Sequence, residues 1–469
     1  MSIRDTAEDV FGLEEHDTDV RTELLAGLTT FLTMSYIVVV NPDILTATQD
    51  GPPGGIAIQG YSSGQVFQML AVVTILASVV AMLVMAFYAN RPFGLAPGLG
   101  LNAFFSITVV GILGVPWQTA LAAVVVEGVI FILLTAVGAR EYVIKLFPEP
   151  VKFAVGTGIG LFLAIIGFQA MGIVADDPAT LLTLGNIGQD PVALLSVAGL
   201  LVTFVLYAAG IRGSIIIGIV LTTLAGWGLT AANVVSTGVL APSSIPAPQY
   251  NIAPLFGAFL DGFSRLEPLS FALIVFTFFF VDFFDTAGTL VGVGQAGGFL
   301  DEDGNFPDID KPLMADAVGT TVGGILGTST VTTFVESATG VEEGGRTGLT
   351  ALVIAVLFLA SLVVVPLAAA IPQYASHVAL VVVAVLLMRN VVEIQWDDYA
   401  HAVPAGLTIM VMPFTYSIAY GIAAGIVAYP IVKTAQGEFD DVLVGQWVLA
   451  AAFVVYFAVR TGGVLSAAV

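Results

Sequence analysis

The chain has 469 residues, of which 57% are apolar and 10% are charged, and its mean hydropathy is +0.98. Soluble domains carry roughly 25% charged residues, so this composition indicates a protein that lies in a lipid bilayer. It excludes a soluble enzyme and a disordered chain, and the net charge of −22 argues against a nucleic-acid partner. Because cysteine is absent and the three histidines lie far apart in sequence, we expect no metal site and no metal cofactor.

The charge comes from 35 acidic residues against 13 basic ones. The acids concentrate at the ends and in loops, as between Asp5 and Glu23 and between Asp301 and Asp310. Surface acids with few lysines suit a protein that faces high salt, where the repulsion between them is screened. We therefore expect a salt-loving host, with acidity by chance as the alternative. Residues 1–23 form an acidic N-terminal segment without the basic start and apolar core of a signal peptide.

Apolar stretches that approach the length of a bilayer follow in two groups of seven. A spanning helix needs about 20 mostly apolar residues. The first group fills residues 24–234, the second fills residues 268–469, and residues 235–267 form a predicted extracellular linker rich in Pro and Ser. The segments are 24–48, 65–89, 97–112, 116–139, 151–174, 191–209 and 213–234, then 268–292, 313–327, 329–341, 347–371, 375–389, 403–432 and 443–463.

The basic residues support this count. An even number of spans puts both termini on one side of the membrane. With that side in the cytoplasm, eleven of the thirteen bases lie inside, and only Arg265 and Lys433 lie outside. This asymmetry is what the positive-inside rule predicts. We expect a multi-pass protein of the plasma membrane with both termini in the cytoplasm.

The third segment of each group is short and interrupted by small residues. The interruptions run from Gly94 through Gly100 to Asn102 and from Gly327 to Glu336. Paired interrupted segments at matching positions are typical of inverted-repeat transporters, and irregular backbone at bilayer depth is tolerated only against protein or a wet cavity. We predict that each segment is an extended piece followed by a half-helix. The two should meet near the midplane, where the half-helix N-termini offer free N–H groups.

Two carboxyl groups in the eighth segment are candidates for proton binding. Asp282 and Asp285 are three residues apart, so they lie on one helix face, one turn apart. Two such groups cannot both ionise cheaply in a low dielectric, so one should hold its proton at neutral pH. This arrangement favours proton binding and release during transport. The alternative is a pair of buried acids satisfied by backbone or threonine groups.

Further candidates lie in the two interrupted segments. Glu336 opens the predicted second half-helix, where its carboxylate could accept two adjacent N–H groups of a planar heterocycle. Asn102 occupies what we take as the matching place in the first, and offers both a donor and an acceptor. For either residue the alternative is a simple helix cap. Aromatic side chains near these positions could stack on a flat ligand, although packing is the default role in a chain with 31 Phe residues: Phe104, Phe105, Phe279 and Phe283.

Two other polar positions inside spans have a structural interpretation. For Glu127, in the fourth segment beside Gly128, we expect a hydrogen bond to a neighbouring helix, with a substrate contact as the less favoured alternative. Asn41 and Pro42 are expected to break the first span near its outer end.

Long ordered motifs resemble those of the AzgA-like purine permeases, a branch of the nucleobase–cation symporters related to xanthine and uracil permeases. The resemblance extends from residue 11 to about residue 435. The motifs that carry it are Phe31–Tyr36 with Asn41–Pro42, Leu95–Phe105, Asp282–Thr289, Gly327–Ser337 and Gly344–Gly348.

The resemblance implies an all-α polytopic membrane protein with the uracil-permease fold. That fold has fourteen transmembrane segments in two inverted repeats of seven. Its core domain comes from segments 1–4 and 8–11, and its gate domain from segments 5–7 and 12–14. It also implies substrate contacts from the third, eighth and tenth segments, with proton coupling by Asp282, Asp285 and Glu336. Carried onto this chain, the substrate-binding residues are Asn102, Asp282, Asp285 and Glu336, with Gly100, Phe104, Thr286 and Ser337 beside them.

The sequence therefore predicts a proton-coupled importer of hypoxanthine, guanine and adenine that uses no cofactor, with sodium as the alternative coupling ion. Its partners would be the purine and the bilayer, with a homodimer as a further option. The rival functions are an anion transporter of the same fold and a channel. No nucleophile–base or metal set supports an enzyme, and no base falls at mid-membrane depth to favour an anion.

Overall fold

The computed structural model describes residues 3–47, 54–138, 146–242, 247–265, 267–301 and 306–461. Three predicted segment ends, at residues 48, 139 and 463, lie outside these ranges. The same is true of Arg140 and Lys145, two of the bases counted on the cytoplasmic side.

Helices make up most of the described chain, with four short strands. The helices are α1 (Ile3–Phe11), α2 (Val20–Met34), α3 (Ile37–Leu45), α4 (Ser63–Val84), α5 (Leu99–Ala103), α6 (Trp117–Ala136), α7 (Glu149–Ala170), α8 (Pro191–Ala208), α9 (Ser214–Ala231), α10 (Phe259–Gly262), α11 (Pro268–Gly297), α12 (Asp310–Leu326), α13 (Ser337–Glu342), α14 (Gly348–Ala360), α15 (Val365–Ala368), α16 (Gln373–Ser376), α17 (Val378–Leu387), α18 (Tyr399–Thr415), α19 (Ile418–Ala435) and α20 (Val444–Thr461). The strands are β1 (Leu95–Pro97), β2 (Val174–Asp177), β3 (Leu181–Leu184) and β4 (Val331–Thr333). A π-helix extends α4 over Met85–Ala89 and another extends α5 over Phe104–Ile112.

The protein is a mostly helical, polytopic membrane protein. Within the described residues, ten helical stretches are long and apolar enough to cross a bilayer. Large apolar side chains on several of them point outward, such as Val205 at 67% exposure and Leu224 at 55%. Apolar side chains remain exposed on a helix where lipid replaces water as the solvent. The membrane assignment from composition is therefore confirmed.

The two interrupted segments are each an extended piece followed by a short helix, as predicted. Strand β1 pairs antiparallel with β4, with Leu95 opposite Thr333 and Pro97 opposite Val331. Both strands are fully buried. Helix α5 follows β1 after one residue, and α13 follows β4 after three. The pairing satisfies backbone groups that lipid could not, which is why two broken spans must meet inside the protein.

The predicted span at residues 403–432 is wrong, because this stretch contains two helices. Helix α18 ends where Tyr416 takes a left-handed conformation with φ of 49°. The side chain of Ser417 then accepts a hydrogen bond from the backbone N–H of Tyr420 and caps α19. Hydropathy is high on both sides of this turn, and no glycine marks it, so the sequence pattern predicts one continuous helix.

The first span is interrupted at a different place from the predicted one. Helix α2 ends before Ser35 and α3 begins at Ile37, whereas Pro42 lies inside α3. The Asn41 amide instead donates to Thr74 Oγ1 at 2.6 Å and to Thr328 Oγ1 at 3.0 Å, which joins three segments. The expected break at Asn41 and Pro42 is therefore wrong, and the break falls six residues earlier, beside Tyr36.

Two smaller features also differ from expectation. Strands β2 and β3 form an antiparallel hairpin between α7 and α8, so the described chain is not entirely α-helical outside β1 and β4. Glu23, counted among the surface acids, is fully buried. Its carboxylate accepts the backbone N–H groups of Arg346 at 2.8 Å and Thr350 at 3.0 Å, at the start of α14.

The chain divides into two compact units. The first comprises residues 1–137 and 166–382, and it contains both interrupted segments. The second comprises residues 138–165 and 383–469. Within the second unit, α18 and α19 pack as a hairpin in which Gly425 lies against the Pro404 carbonyl; a Cβ on Gly425 would approach that oxygen to 3.0 Å. All candidate site residues lie in the first unit.

Candidate functional site

Asp285 and Glu336 form the accessible part of the candidate site. Asp285 lies on α11, Glu336 lies between β4 and α13, and both side chains are only partly buried. Their carboxylates interact electrostatically, and Thr332 Oγ1 on β4 donates to Asp285 Oδ2 at 3.4 Å. The helix and the extended segment therefore bring two predicted site residues to one place.

The side chain of Asp282 lies in a different environment from that of Asp285, one turn further along α11. It is fully buried, and Thr320 Oγ1 of α12 donates to its Oδ2 at 3.3 Å. Two further buried acids, Glu127 of α6 and Asp316 of α12, interact electrostatically with it. The three carboxyl groups Glu127, Asp282 and Asp316 are called the buried acid cluster below.

The buried acid cluster is incompletely hydrogen-bonded. Among the described residues, no donor outside the cluster reaches either carboxyl oxygen of Glu127, Oδ1 of Asp282 or Oδ2 of Asp316. Glu127 and Asp282 hydrogen-bond to each other when one of them carries a proton, so the expected hydrogen bond from Glu127 to a neighbouring helix is made to α11. An ionised carboxylate without partners in a protein interior costs several kcal/mol, so such groups hold protons or receive a ligand.

Asp316 is a residue that the sequence analysis missed. Its Oδ1 accepts from Thr286 Oγ1 at 2.7 Å and from Thr333 Oγ1 at 3.4 Å, so it connects α11, α12 and β4. Thr286 also lies 2.7 Å from Thr332 Oγ1 and accepts the backbone N–H of Thr333 at 3.2 Å. Thr286 is itself fully buried and joins these elements. The available signal was an acid in an otherwise apolar segment, the rule that selected Asp282.

Glu336 precedes α13 but does not cap it. Its backbone occupies the N-cap position, yet its side chain makes no capping hydrogen bond to the helix. Instead the hydroxyl of Tyr36, at the break in the first span, donates to Glu336 Oε1 at 2.7 Å. The adjacent Ser337 is fully buried, and its Oγ accepts the backbone N–H of Gly94 at 3.0 Å, which ties the two interrupted segments together.

Asn102 does not occupy the place in the first half-helix that Glu336 occupies in the second, so that expectation is wrong. The N-cap residue of α5 is Gly98, and Asn102 lies four residues further along. Asn102 is fully buried; its Oδ1 accepts from Ser329 Oγ, and its Nδ2 donates to the Pro97 carbonyl at 3.4 Å. It therefore joins the two interrupted segments directly.

Gly100 and the aromatic candidates surround this region. Gly100 lies in the first turn of α5 and is partly exposed. Phe104 is 1% exposed and packs edge-on against Phe278, with ring centroids 5.0 Å apart. Phe105 also lies near Phe278, and Phe279 and Phe283 both pack against Phe131 of α6. These rings pack against other aromatic side chains, which is the role expected by default for phenylalanines in this chain.

The chemistry of the site follows from its donor and acceptor groups. Asp285 and Glu336 offer carboxylate acceptors to a ligand, and the buried acid cluster lies behind Asp285 along α11. Carboxylates suit ligands that present N–H donors and also bind protons. They repel anions.

Comparison with known proteins agrees with the motifs. The xanthine/uracil permease model, described as "Permease family", matches residues 21–424. The chain is 43% identical to a putative permease of Methanocaldococcus jannaschii, over 97% of this chain and 99% of that one. It is 40% identical to the guanine/hypoxanthine permease PbuO of Bacillus subtilis, over 92% and 96%. It is 38% identical to the adenine permease AdeQ of Escherichia coli, over 96% and 95%.

The fold also resembles a solved structure at low sequence identity. The transmembrane domain of the cyanobacterium bicarbonate transporter BicA aligns with a TM-score of 0.60 and 16% identity. The alignment covers 87% of this chain and 97% of that domain. With its motifs, its matched family model and its relatives at about 40% identity over nearly their whole length, this chain belongs to the xanthine/uracil permease family, in the AzgA-like branch that the motifs predict.

Proposed function

We propose that this protein imports the purine nucleobases hypoxanthine, guanine or adenine by proton symport with alternating access. The observation that carries the proposal is an accessible acid pair, Asp285 and Glu336, beside the buried acid cluster. Relatives that are named adenine permease and guanine/hypoxanthine permease support the substrate class. The activity is transport, and no chemical step on the substrate is needed.

The accessible acids account for the choice of a purine. Each purine carries ring or exocyclic N–H groups that a carboxylate can accept in a directional, charge-assisted hydrogen bond. Glu336 and Asp285 would accept hydrogen bonds from these N–H groups. Asn102 would support the site by joining the two interrupted segments through its hydrogen bond with Ser329. An anion would require a base or open helix N–H groups in place of these carboxylates, so the anion-transporter alternative is not favoured.

The buried acid cluster would couple transport to protons. Protonation from the outer side lowers the cost of enclosing three carboxyl groups, four of whose oxygens have no donor outside the cluster. The purine then binds at Glu336, and the transporter changes to its inward-facing state. At the lower proton activity inside, the cluster loses its proton and the purine leaves. Sodium is the alternative coupling ion, and the experiment below separates the two.

The proposed architecture has fourteen segments in two inverted repeats with a core and a gate domain. In the first repeat the last two segments are α8 and α9, of 18 residues each. In the second they would be α18 and α19, of 17 and 18 residues. This assignment ends the second repeat near residue 435 and leaves α20 outside it. In this assignment α20 does not cross the bilayer, so Lys433 moves to the cytoplasmic side with both termini, which strengthens the charge asymmetry.

The direct test is uptake of radiolabelled hypoxanthine by proteoliposomes. An inward proton gradient should drive accumulation, a sodium gradient alone should not, and unlabelled guanine and adenine should compete. Asp282→Asn or Glu336→Gln should abolish uptake, while the purified variants keep the wild-type elution profile in detergent. Asp397→Asn, at an exposed acid, is the matched control. Normal uptake by both site variants would overturn the assignment, and light scattering of the eluted protein would show whether it forms a homodimer.

A further inference from the structure

The hydroxyl group of Tyr36 is a buried donor that the transport cycle above does not use. Tyr36 lies at the break between α2 and α3, and its side chain is 1% exposed. Its Oη donates to Glu336 Oε1 at 2.7 Å. The bond joins the break in the first span to the carboxylate proposed to accept the purine.

The elements that carry the two residues are held in register by other contacts. Thr33 Oγ1, on α2, lies 3.1 Å from Thr339 Oγ1, on α13. A Cβ added to Gly340 would lie 2.8 Å from the Ala26 carbonyl oxygen, so the two backbones are nearly in contact. The bond between Tyr36 and Glu336 therefore joins two fixed positions.

The surroundings of Glu336 explain why this hydrogen bond matters. The backbone N–H groups of Ser337 and Ala338, in the first turn of α13, already donate to the carbonyls of Phe334 at 3.1 Å and Val335 at 3.0 Å. The Glu336 carboxylate therefore makes no capping bond to the helix. The Tyr36 hydroxyl is the side-chain donor that fixes its direction.

We propose that Tyr36 is a positioning residue, which fixes the direction of the Glu336 carboxylate and presents it to the N–H edge of the purine. The inference rests on the proposed function. Because the single proton of the phenol is committed to Glu336, the phenolic oxygen can only accept hydrogen bonds from a ligand. Tyr36 and Glu336 together present acceptors alone, which selects a heterocycle with N–H donors.

The test is Tyr36→Phe, which removes one oxygen and keeps the ring. Without the hydroxyl, the Glu336 carboxylate loses the side-chain donor that fixes its direction. We expect KM for hypoxanthine uptake, and Kd for tritiated hypoxanthine on the purified protein, to rise about tenfold, the effect of losing one hydrogen bond to a charged group. The thermal midpoint should stay close to that of the wild type, because the contacts that hold α13 against α2 do not involve the hydroxyl. A purely structural role would instead lower the midpoint and leave KM unchanged, and that result would overturn the proposal.

Tyr374→Phe is the matched control, since its buried hydroxyl donates to the Leu240 carbonyl at 2.8 Å, away from the site. It should leave KM and Kd unchanged. In a Glu336→Gln background, the Tyr36→Phe change should have almost no further effect on Kd, because its action passes through Glu336. Additive losses would contradict positioning. If the wild-type protein bound no purine at all, the proposed function would fail along with this inference. If it bound purines and Tyr36→Phe kept the wild-type Kd, only the inference would fail.

Discussion

Two regions of this protein bury acids completely, and they treat them in opposite ways. Glu23 and Asp282 both have no exposed surface. The Glu23 carboxylate accepts three backbone N–H groups at the start of α14, and Thr350 Oγ1 donates to it at 2.6 Å. Asp282 receives one long hydrogen bond from Thr320 and lies beside two more acids.

The difference separates a structural acid from a functional one. At Glu23, the helix N-terminus and the threonine hydroxyl compensate for the lost hydration, so the charge is stable where it lies. In the buried acid cluster, four carboxyl oxygens have no donor outside the cluster, so the cluster is stable only when the acids carry a proton that they can share. Burial alone does not distinguish these roles, but counting hydrogen-bond partners does.

The largest effect should come from Asp316, the member of the cluster that also holds β4. In Asp316→Asn the amide can still accept from Thr286, but it cannot bind and release a proton. Proton-driven uptake should fall at least roughly 100-fold, equivalent to about 3 kcal/mol. The measurement is hypoxanthine uptake in proteoliposomes with an imposed proton gradient. Asp308→Asn, an exposed acid shortly before α12, is the control. Near-normal driven uptake by Asp316→Asn would contradict a coupling role for the cluster.

Removing the charge of Glu23 should affect stability and leave transport intact. Glu23→Gln keeps an acceptor but replaces the ionised partner of the α14 N–H groups. We expect a loss of about 2 kcal/mol, seen as a lower thermal midpoint in detergent. KM and the proton dependence of uptake should match the wild type in the protein that remains folded. A change in the proton dependence of uptake would contradict the distinction between Glu23 as a structural acid and the buried acid cluster as a functional one.

Substitution of Glu127 should reduce uptake less than substitution of Asp316, because Glu127 lies beside Asp282 but does not fix β4 as Asp316 does. Glu127→Gln removes one proton-binding group from the cluster and leaves Asp285 and Glu336 unchanged. We expect gradient-driven uptake to fall about tenfold, or about 1.4 kcal/mol, with an unchanged KM. Exchange of labelled for unlabelled purine without a gradient should persist. A tenfold rise in KM with intact coupling would instead place Glu127 in contact with the substrate.

The features predicted well from sequence are those with strong local signals. The small residues around Gly98 and Gly327 predict two broken segments, since only such residues allow an extended backbone to pack this closely. Position along the chain also places Glu336 before the second short helix. The sequence also predicts that the two segments meet, because backbone groups in a bilayer must be satisfied, although it does not predict the antiparallel pairing of β1 with β4.

The features that were missed depend on neighbours that are distant in sequence. The spacing of Asp282 and Asp285 predicts a shared helix face, but only the packing of α6 and α12 decides which carboxyl group is enclosed. The partner of Asn102 is Ser329, more than 200 residues away. The turn at Tyr416 uses a non-glycine residue between two apolar helices, so neither hydropathy nor glycine marks it.

The smallest effect should come from Asp19, an exposed carboxylate that completes the comparison. Its side chain accepts the backbone N–H of Thr22 at 2.9 Å at the start of α2, and this hydrogen bond lowers the pKa of Asp19 below its ordinary value of 3.8. A group with a lowered pKa stabilises the fold above its ordinary pKa and loses that contribution as the pH falls through its folded value. The thermal midpoint of Asp19→Ala should therefore lie slightly below that of the wild type at neutral pH, and the difference should close as the pH falls below 3.8. A constant difference across this range would mean that the charge of the Asp19 carboxylate contributes nothing at the start of α2. Water would then satisfy the exposed N–H groups of α2, whereas the buried N–H groups at the start of α14 depend on Glu23.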